Sequence, residues 1–397
     1  MKSNLKEGYI RTVCGECRMQ CGMLVHVKDG RAVKLESDPA SPNPGNKLCE
    51  KATASLERLY HPDRLRFPLK RKGERGEGKW ERISWDEALS TIANRLLELR
   101  SSHGAESVAF IKGHYDRRCD LISRLGNAFG TPNIVSIDNT CYIPSASGRL
   151  MTYGFDGRPD FSGYPDCVMC WGTSANPPLK KGAKFIVVDS IRTEAARQAD
   201  IWLQPRPATD LALALGILNV IITEKLYNKD FVDKWTTGFE KLERHIQQYS
   251  PGKVAEITWV SAEKITETAR LFSGYRYACL QTGNASEDTY NSTQFARAAS
   301  IIQSVLGLLD IPGGTVDATG KPIDREGTSS DILSDMLTQE QLKKKLGAEY
   351  GHFPADPLWH TIANKPAELQ PQYLLTSILE KTPYQVQAAV ILGSNPV

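Results

Sequence analysis

Cys14-Gly-Glu-Cys17-Arg-Met-Gln-Cys21, then 27 residues, then Cys49-Glu-Lys51, is the stretch around which the rest of the chain is organised. Four of the nine cysteines fall there, a close trio and one distant partner. Such a set can wrap four thiolates around an iron–sulfur cube. Zinc also accepts four thiolates, although its sites more often join two separated Cys-x2-Cys pairs. Inert buried thiols are the third reading. The neighbours Gly15, Glu16, Arg18 and Gln20 suit a packed core poorly. Lys51, two residues past the fourth cysteine, is either an ordinary surface lysine or a cation that offsets thiolate charge and tunes potential.

The bulk numbers narrow the class. At 397 residues the chain has room for two or three domains. It is 41% apolar and 24% charged with net charge +3, the balance of a globular protein. No nucleic-acid partner is expected, because the basic run at 70–75 is short and has no aromatic platform for bases. No window reaches about 18 uninterrupted apolar residues, so no direct membrane span is expected. The N-terminus has neither an apolar core nor an Arg-Arg pair. An odd cysteine count, with four in a pattern that needs thiolates, argues for a reducing compartment, and a cytoplasmic location is expected.

Outward from the cysteines, 10–37 reads as a small antiparallel sheet turning at Asp29-Gly30. His26 is a strand residue in that sheet. A Pro-, Gly- and charge-rich connector follows at 63–80. Ser84, with Glu87 three residues on, opens a helix whose apolar face is Ala88, Leu89, Ile92, Ala93, Leu96 and Leu97. Strands at 108–111 and 133–137 flank a helix at about 116–129, which is α/β alternation. Cys141 comes just beyond the second strand, where α/β proteins place chemistry. From the residues alone it is a free core thiol or the lip of a pocket, and Asn139 and Thr140 favour the pocket. Cys167 and Cys170 lie on one strand with their side chains on opposite faces, so they are packing residues.

The strand at 184–189 ends in Asp189, and a long apolar helix is expected at about 211–224. Helices fill 228–272, a strand at 278–282 runs into Gly283, and a helix spans 295–309. The stretch 315–380 reads as polar and irregular apart from a helical run near 338–345. Ala388-Ala-Val-Ile-Leu-Gly-Ser-Asn-Pro repeats the pattern of 168–177, a strand running into Gly and then Asn-Pro, with a shorter spacer. That echo suggests two similar sheet domains, each offering a loop to a ligand with two similar halves. The usual fingerprints of NAD, ATP, zinc-protease and serine-hydrolase chemistry are absent from the sequence.

In order and spacing these marks resemble the molybdopterin oxidoreductases of the dimethyl sulfoxide reductase type, specifically the N-terminal part of their catalytic subunit. The resemblance covers nearly the whole chain. It rests on the Cys14/Cys17/Cys21/Cys49 pattern with Lys51, Tyr60-His-Pro-Asp-Arg-Leu, Ile83-Ser-Trp-Asp-Glu-Ala, Trp171-Gly-Thr-Ser-Ala-Asn-Pro, Ala199-Asp-Ile-Trp-Leu and Pro312-Gly-Gly.

The resemblance implies an α/β fold: a small β-rich [4Fe–4S] domain followed by Rossmann-like α/β domains, with the family's C-terminal domain missing. The expected boundaries are 1–60 for the cluster domain, 61–140 plus 335–397 for a second domain, and 141–334 for a third that binds dinucleotide. The implied cofactors are one [4Fe–4S] cluster and molybdenum or tungsten held by two molybdopterin guanine dinucleotides. Cys141 would be the protein ligand to the metal, its soft thiolate suiting it. Lys51 would bridge cluster and pterin, in a catalytic as well as a cofactor-binding role. Gly172, Thr173, Asn176, Asp189, Arg192, Thr209, Asp210, Gly283, Gly393 and Asn395 would contact the cofactor.

The implied activity is redox of a small-molecule substrate at the metal, with electrons passing through the cluster. An iron–sulfur electron-transfer subunit and a separate chain supplying the C-terminal domain are the implied protein partners. Two alternatives differ in class: a non-redox enzyme resembling acetylene hydratase, and a non-catalytic iron–sulfur module. The hydratase carries an aspartate directly after the second cluster cysteine, where this chain has Arg18. Two further departures touch the nucleotide loops: Asp189-Ser-Ile-Arg192 replaces Asp-Pro-Arg, and Pro207-Ala-Thr-Asp210 replaces Pro-Gly-Thr-Asp.

Overall fold

The computed structural model describes residues 8–16, 21–41, 48–113, 118–137, 140–173, 177–317, 333–348, 369 and 371–393. The chain divides into two compact units. One comprises Met1–Ser136, Ser330–Leu346 and Gln372–Val397; the other comprises Ile137–Ser329 and Gly347–Pro371.

The first unit opens with the expected antiparallel sheet of β1 (Gly8–Val13), β2 (Gly22–Lys28) and β3 (Arg31–Ser37). Asp29 and Gly30 both have positive φ, 50° and 71°, which a two-residue hairpin turn needs to match strand twist. His26 is a strand residue here, its ring edge-on to Tyr9 and its Nε2 3.2 Å from Glu36 Oε2. Two short helices follow, α1 (Glu50–Thr53) and α2 (Ser55–Tyr60), and the connector forms a hairpin of β4 (Leu69–Arg71) and β5 (Trp80–Arg82). Next come α3 (Trp85–His103), β6 (Val108–Lys112), α4 (Arg118–Phe129) and β7 (Ile134–Ser136). Ser84 Oγ accepts from Glu87 N at 3.1 Å and caps α3, while the Glu87 carboxylate turns to Lys70.

The second unit begins with α5 (Tyr142–Tyr153) and β8 (Gly157–Pro159). It continues with β9 (Cys167–Trp171), β10 (Lys184–Val188), α6 (Glu194–Gln198), β11 (Ile201–Leu203) and α7 (Asp210–Thr223). Four helices, α8 (Lys229–Trp235), α9 (Phe239–Ile246), α10 (Pro251–Thr258) and α11 (Ala262–Ser273), lead to β12 (Ala278–Thr282). The chain then passes through α12 (Asn284–Glu287), α13 (Ser292–Val305) and β13 (Thr315–Asp317). The sheet is parallel throughout, in the order β11-β10-β9-β12. All five residues of β9 are buried, as a central parallel strand requires. Cys167, Met169 and Trp171 pack into the larger core with α7 and α13, while Val168 and Cys170 face Phe185, Val187 and Cys279. The two cysteines thus lie on opposite faces, as the strand period demands. Helix α7 buries ten of its fourteen residues and is a core helix.

Helix α5 is legible only in the structure. Pro144 falls in its first turn, where a missing N–H costs no hydrogen bond. The small residues after it serve close packing: a Cβ on Gly148 would stand 2.7 Å from Thr293 O.

The chain returns to the first unit through α14 (Gln339–Lys343), α15 (Pro371–Glu380) and β14 (Ala388–Leu392). Helix α14 is the helical run expected near 338–345; α15 corrects the reading of 315–380 as otherwise irregular. Strand β14 pairs parallel with β6, giving the order β14-β6-β7. The core here is Leu99, Val108, Phe110, Ile122 and Ile134. Helix α3 departs from expectation: it docks through Leu96 and Leu99, while Leu89, Ile92 and Leu97 are exposed. Among the described residues nothing covers that stripe.

Asn133 holds the returning segment in place. Fully buried, it donates through Nδ2 to Glu106 O and Tyr384 Oη, each at 2.7 Å, and accepts from Leu346 N at 3.1 Å through Oδ1. Asn133→Ala breaks three bonds, which join residue 133 to 106, 346 and 384. It should lower stability by about 2–4 kcal/mol, measured by denaturant unfolding. A loss under about 0.5 kcal/mol would mean that the segment is held elsewhere.

Candidate functional site

The predicted cluster cysteines lie at one end of the first sheet. The last pair of the β1–β2 ladder is Val13 with Gly22, and Cys14 N donates to Cys21 O at 2.8 Å just beyond it. Gly22 is pressed against the next loop; a Cβ there would stand 2.5 Å from Ser41 Cβ. Glu16 in the cysteine loop pairs with Arg58 of α2, Nη1 to Oε2 at 2.8 Å. Leu48 N donates to Ser37 Oγ at 3.1 Å, so the segment leading to Cys49 is tied to the end of β3. Cys49 is the N-cap of α1, and Lys51 is exposed on that helix. Cys14 is buried, Cys21 half-buried and Cys49 exposed. Cys17 lies outside the described residues. Among those described, no three His, Cys, Asp or Glu side chains are close enough to hold a metal ion. The hairpin therefore brings Cys14 and Cys21 together and does not by itself assemble the set. The donor chemistry fits an iron–sulfur cluster, since every expected ligand is a thiol.

In the second unit Cys141 is the N-cap residue of α5, half-buried, its N–H donating to Ile137 O at 3.1 Å. It contrasts with Cys167 and Cys170, fully buried thiols pushed up to about 12 by burial. Those two are packed into the cores on either face of the sheet, whereas a partly exposed thiol at a helix start suits a soft metal. Helix α5 is anchored behind Cys141 by an ionic knot in which Arg149 and Asp156 are buried and the Arg158 side chain is 42% exposed. Arg149 Nε donates to Asp156 Oδ1 at 2.7 Å, Arg158 Nη2 donates to Asp156 Oδ2 at 3.1 Å, and the Tyr142 hydroxyl also bonds Asp156.

The expected nucleotide loops gather at the carboxyl ends of β9, β10 and β12, the edge where parallel sheets bind ligands. Gly172 N donates to Val188 O at 2.8 Å, Gly283 N to Trp171 O at 2.9 Å, and Ala285 N to Gly172 O at 3.1 Å. The two loops cross so closely that only glycine fits. Gly172 has φ +62° and a Cβ would stand 2.7 Å from Ser286 N; a Cβ on Gly283 would stand 2.5 Å from Thr173 Cβ. Asp189 Oδ1 accepts from Ile191 N at 3.0 Å and shapes the turn that presents Arg192, exposed beside Trp202. Thr209 caps α7.

Asp210 faces inward: it is 8% exposed and accepts from Trp171 Nε1 at 2.8 Å, and burial raises its pKa. This bond joins β9 to α7, a packing role that the sequence pattern did not reveal. Ala208, where the family pattern has glycine, sits at φ +64° and carries local strain. Gly393 follows β14 at φ +62°, the same conformation as Gly172 after β9, so the two strand ends that echo in sequence turn alike. Asn176 and Asn395 lie outside the described residues.

The knot around Arg149, Asp156, Arg158 and Glu287 is the feature sequence reasoning missed. Its members are ordinary charged residues, and the signal available was three of them, Arg149, Asp156 and Arg158, shortly after Cys141; Glu287 is distant in sequence.

Two family models match end to end. Residues 7–61 match the molybdopterin oxidoreductase Fe4S4 domain, and residues 64–395 match molybdopterin oxidoreductase. The acetylene hydratase of Syntrophotalea acetylenica is 32% identical over 417 residues, covering 96% of this chain and 56% of the hydratase. The molybdopterin-containing subunit of thiosulfate reductase from Salmonella typhimurium is 26% identical, over 97% of this chain and 52% of that subunit. A solved acetylene hydratase from Pelobacter acetylenicus superposes with a TM-score of 0.77 at 29% identity, covering 97% of this chain and 57% of that structure. The chain thus spans little more than half the length of these relatives. Among the described residues, no helix is long and apolar enough to cross a membrane. With one family model matched over the cysteine-bearing sheet and the other over most of the chain, this chain belongs to the molybdopterin oxidoreductase family.

Proposed function

We propose that this chain carries the cluster-binding part and much of the nucleotide-binding part of an enzyme holding molybdenum or tungsten between two molybdopterin guanine dinucleotides. Its overall chemistry is taken to follow the acetylene hydratase plan. The observation behind this choice is likeness to acetylene hydratases over 96% of the chain in sequence and 97% in structure. When bound, the metal would supply a soft Lewis-acidic centre for a small substrate. Cys141 would be its protein ligand, and the knot of Arg149, Asp156 and Arg158 would hold the helix that begins at Cys141. Cys14, Cys17, Cys21 and Cys49 would hold a [4Fe–4S] cluster, with Lys51 offsetting their negative charge. Gly172, Thr173, Asn176, Asp189, Arg192, Thr209, Gly283, Gly393 and Asn395 would make up the walls for the dinucleotides, with the inward-facing Asp210 bracing α7 against β9 behind them.

One residue favours a second reading, redox of the substrate with electrons passing through the cluster. Arg18 stands where the resemblance places an aspartate in the hydratase, and a cation there cannot take a proton from water. The residue-level roles and the substrate belong to the whole protein.

The test is anaerobic assay of the whole metal-loaded protein. Acetaldehyde formed from acetylene without net electron consumption would support hydration. Oxidation of reduced viologen by thiosulfate or a related sulfur compound would support the redox reading and sink hydration. Loss of either activity in Cys141→Ala, with metal content falling, is expected; full activity in that variant would remove Cys141 from the site.

A further inference from the structure

Residues 62–82 carry eight cations against four carboxylates, more net charge than the +3 of the whole chain, so its basic character is gathered there. The β4–β5 hairpin sorts those charges by type. Its register pairs Leu69 with Arg82 and Arg71 with Trp80, which sets these four side chains on one face. Lys70 and Glu81 pair on the other face, and Lys72 N donates to Lys79 O at 2.9 Å one step further on. The lysine face turns toward α3, where Lys70 Nζ lies 3.4 Å from Glu87 Oε1. Among the described residues the arginine face has no such cover: both strands are exposed throughout, and Trp80 is 58% exposed. Arg82 lies over the Phe67 ring, 3.2 Å from its centroid, at the rim of a groove shared with Arg64, Leu65 and Arg66. Among the described residues, none of Arg64, Arg66, Arg71 and Arg82 is in an ion pair.

Those residue types narrow the partner. Trp, Phe and Arg are enriched at the centres of protein interfaces and lysine is depleted, the same division that the two hairpin faces show. Unpaired arginines around exposed rings call for carboxylates, which take a guanidinium in a two-pronged bond. Nucleic acid also stacks on such rings, but Asp63, Glu74, Glu77 and Glu81 interrupt the cations and repel phosphate. A bilayer is a poor fit, since the turn between the strands carries Glu74, Arg75 and Glu77 and no apolar side chain to insert.

We propose that the hairpin face bearing Arg71, Trp80 and Arg82 docks an acidic electron-carrier protein, with Trp80 and Phe67 filling the centre and the arginines meeting carboxylates around it. The hairpin belongs to the compact unit that holds the cysteine set. The helix leading to it, α2, is tied to the cysteine loop through Arg58 and Glu16. A carrier docked there would sit against the cluster-bearing unit. The proposal rests on the cluster reading, which both chemistries under the proposed function share.

Calorimetric titration of the iron-loaded full chain with a plant-type [2Fe–2S] ferredoxin, a small acidic carrier, tests it. One saturable site is expected, weakening as salt rises, and none for cytochrome c, a basic carrier. Paired variants separate a docking face from bulk charge. Arg71→Gln with Arg82→Gln should weaken binding about tenfold or more. Lys72→Gln with Lys79→Gln removes as much charge from the other face and should cost under about threefold. Trp80→Ser should weaken binding about fivefold with no change of charge. Every one of these sites is exposed, so melting should stay near the parent value. Equal losses on the two faces, no saturable heat, or a short oligothymidylate competing at equal affinity would each overturn the proposal. A chain that takes up no iron would sink the cluster reading and the carrier role with it, a failure read in metal content rather than in binding.

Discussion

Replacing Cys14 by serine should strip the chain of its iron. Cys14 is 5% exposed and its backbone N–H bonds Cys21 O at the mouth of the β1–β2 hairpin, so a near-isosteric serine leaves the sheet standing. The hydroxyl is a hard, weakly acidic donor, whereas iron–sulfur clusters are held by thiolates. After anaerobic reconstitution the parent chain is expected to hold about four irons and Cys14→Ser well under one, with loss of the visible charge-transfer absorption. Cys49→Ser, at the N-cap of α1, should behave alike. Cys170→Ala is the contrasting case: this thiol is buried on the far side of a strand in the other unit, and its loss should leave iron unchanged. Four irons retained in Cys14→Ser would remove the cluster reading. Zinc bound in place of iron would do the same.

The second large effect is predicted at Asp156. Its carboxylate accepts from Arg149 Nε and Arg158 Nη2 and bonds the Tyr142 hydroxyl, and its side chain is 7% exposed. Asp156→Ala leaves Arg149 buried with only Glu287 nearby, at 3.6 Å. Breaking one side of a buried pair costs about 3–5 kcal/mol, and a fall of roughly 10 °C in melting temperature should follow. The pairing also has a pH signature. Burial by itself would raise the Asp156 pKa, but the Arg149 and Arg158 guanidiniums and the Tyr142 hydroxyl outweigh it, and the net direction is down. A carboxyl whose pKa is lower folded than unfolded contributes its full stability above the unfolded value, about 3.9, and loses it as pH falls through the folded one. Acid unfolding of the parent should therefore steepen below about pH 4, and Asp156→Ala should flatten that limb. A double variant, Arg149→Met with Asp156→Leu, should recover much of the loss, because a buried pair is worth little against packed apolar groups. An unchanged melting temperature in Asp156→Ala would show that water reaches the knot.

Much of this molecule is legible in its residues. The Asp29-Gly30 turn, the alternation around β6 and β7, the opposite facing of Cys167 and Cys170 and the apolar run of α7 all follow from local rules of period and turn chemistry. The glycines at 172, 283 and 393 were marked by their place after strands. Helix α5 escaped because its buried residues are mostly serine, alanine and glycine, which carry no apolar period. The apolar stripe of α3 was read as a core face, yet Leu89, Ile92 and Leu97 are exposed. Periodicity reports that a helix has a greasy side and is silent on what lies against it.

By itself, the sequence determined the chemistry on offer: a thiolate set at cluster spacing, a further cysteine past a strand, and two strand ends that turn on glycine. Only the tertiary structure decided which of those groups meet. It turned Asp210 inward onto Trp171, set Cys14 against Cys21 while leaving Cys49 to a helix start, and gathered Arg149, Asp156 and Glu287 into one buried knot with the half-buried Arg158 at its edge. The physical reason is that a buried charge or amide is worth only what its partners make of it. Those partners come from residues such as 149 and 287, or 133 and 384, whose meeting no local pattern encodes.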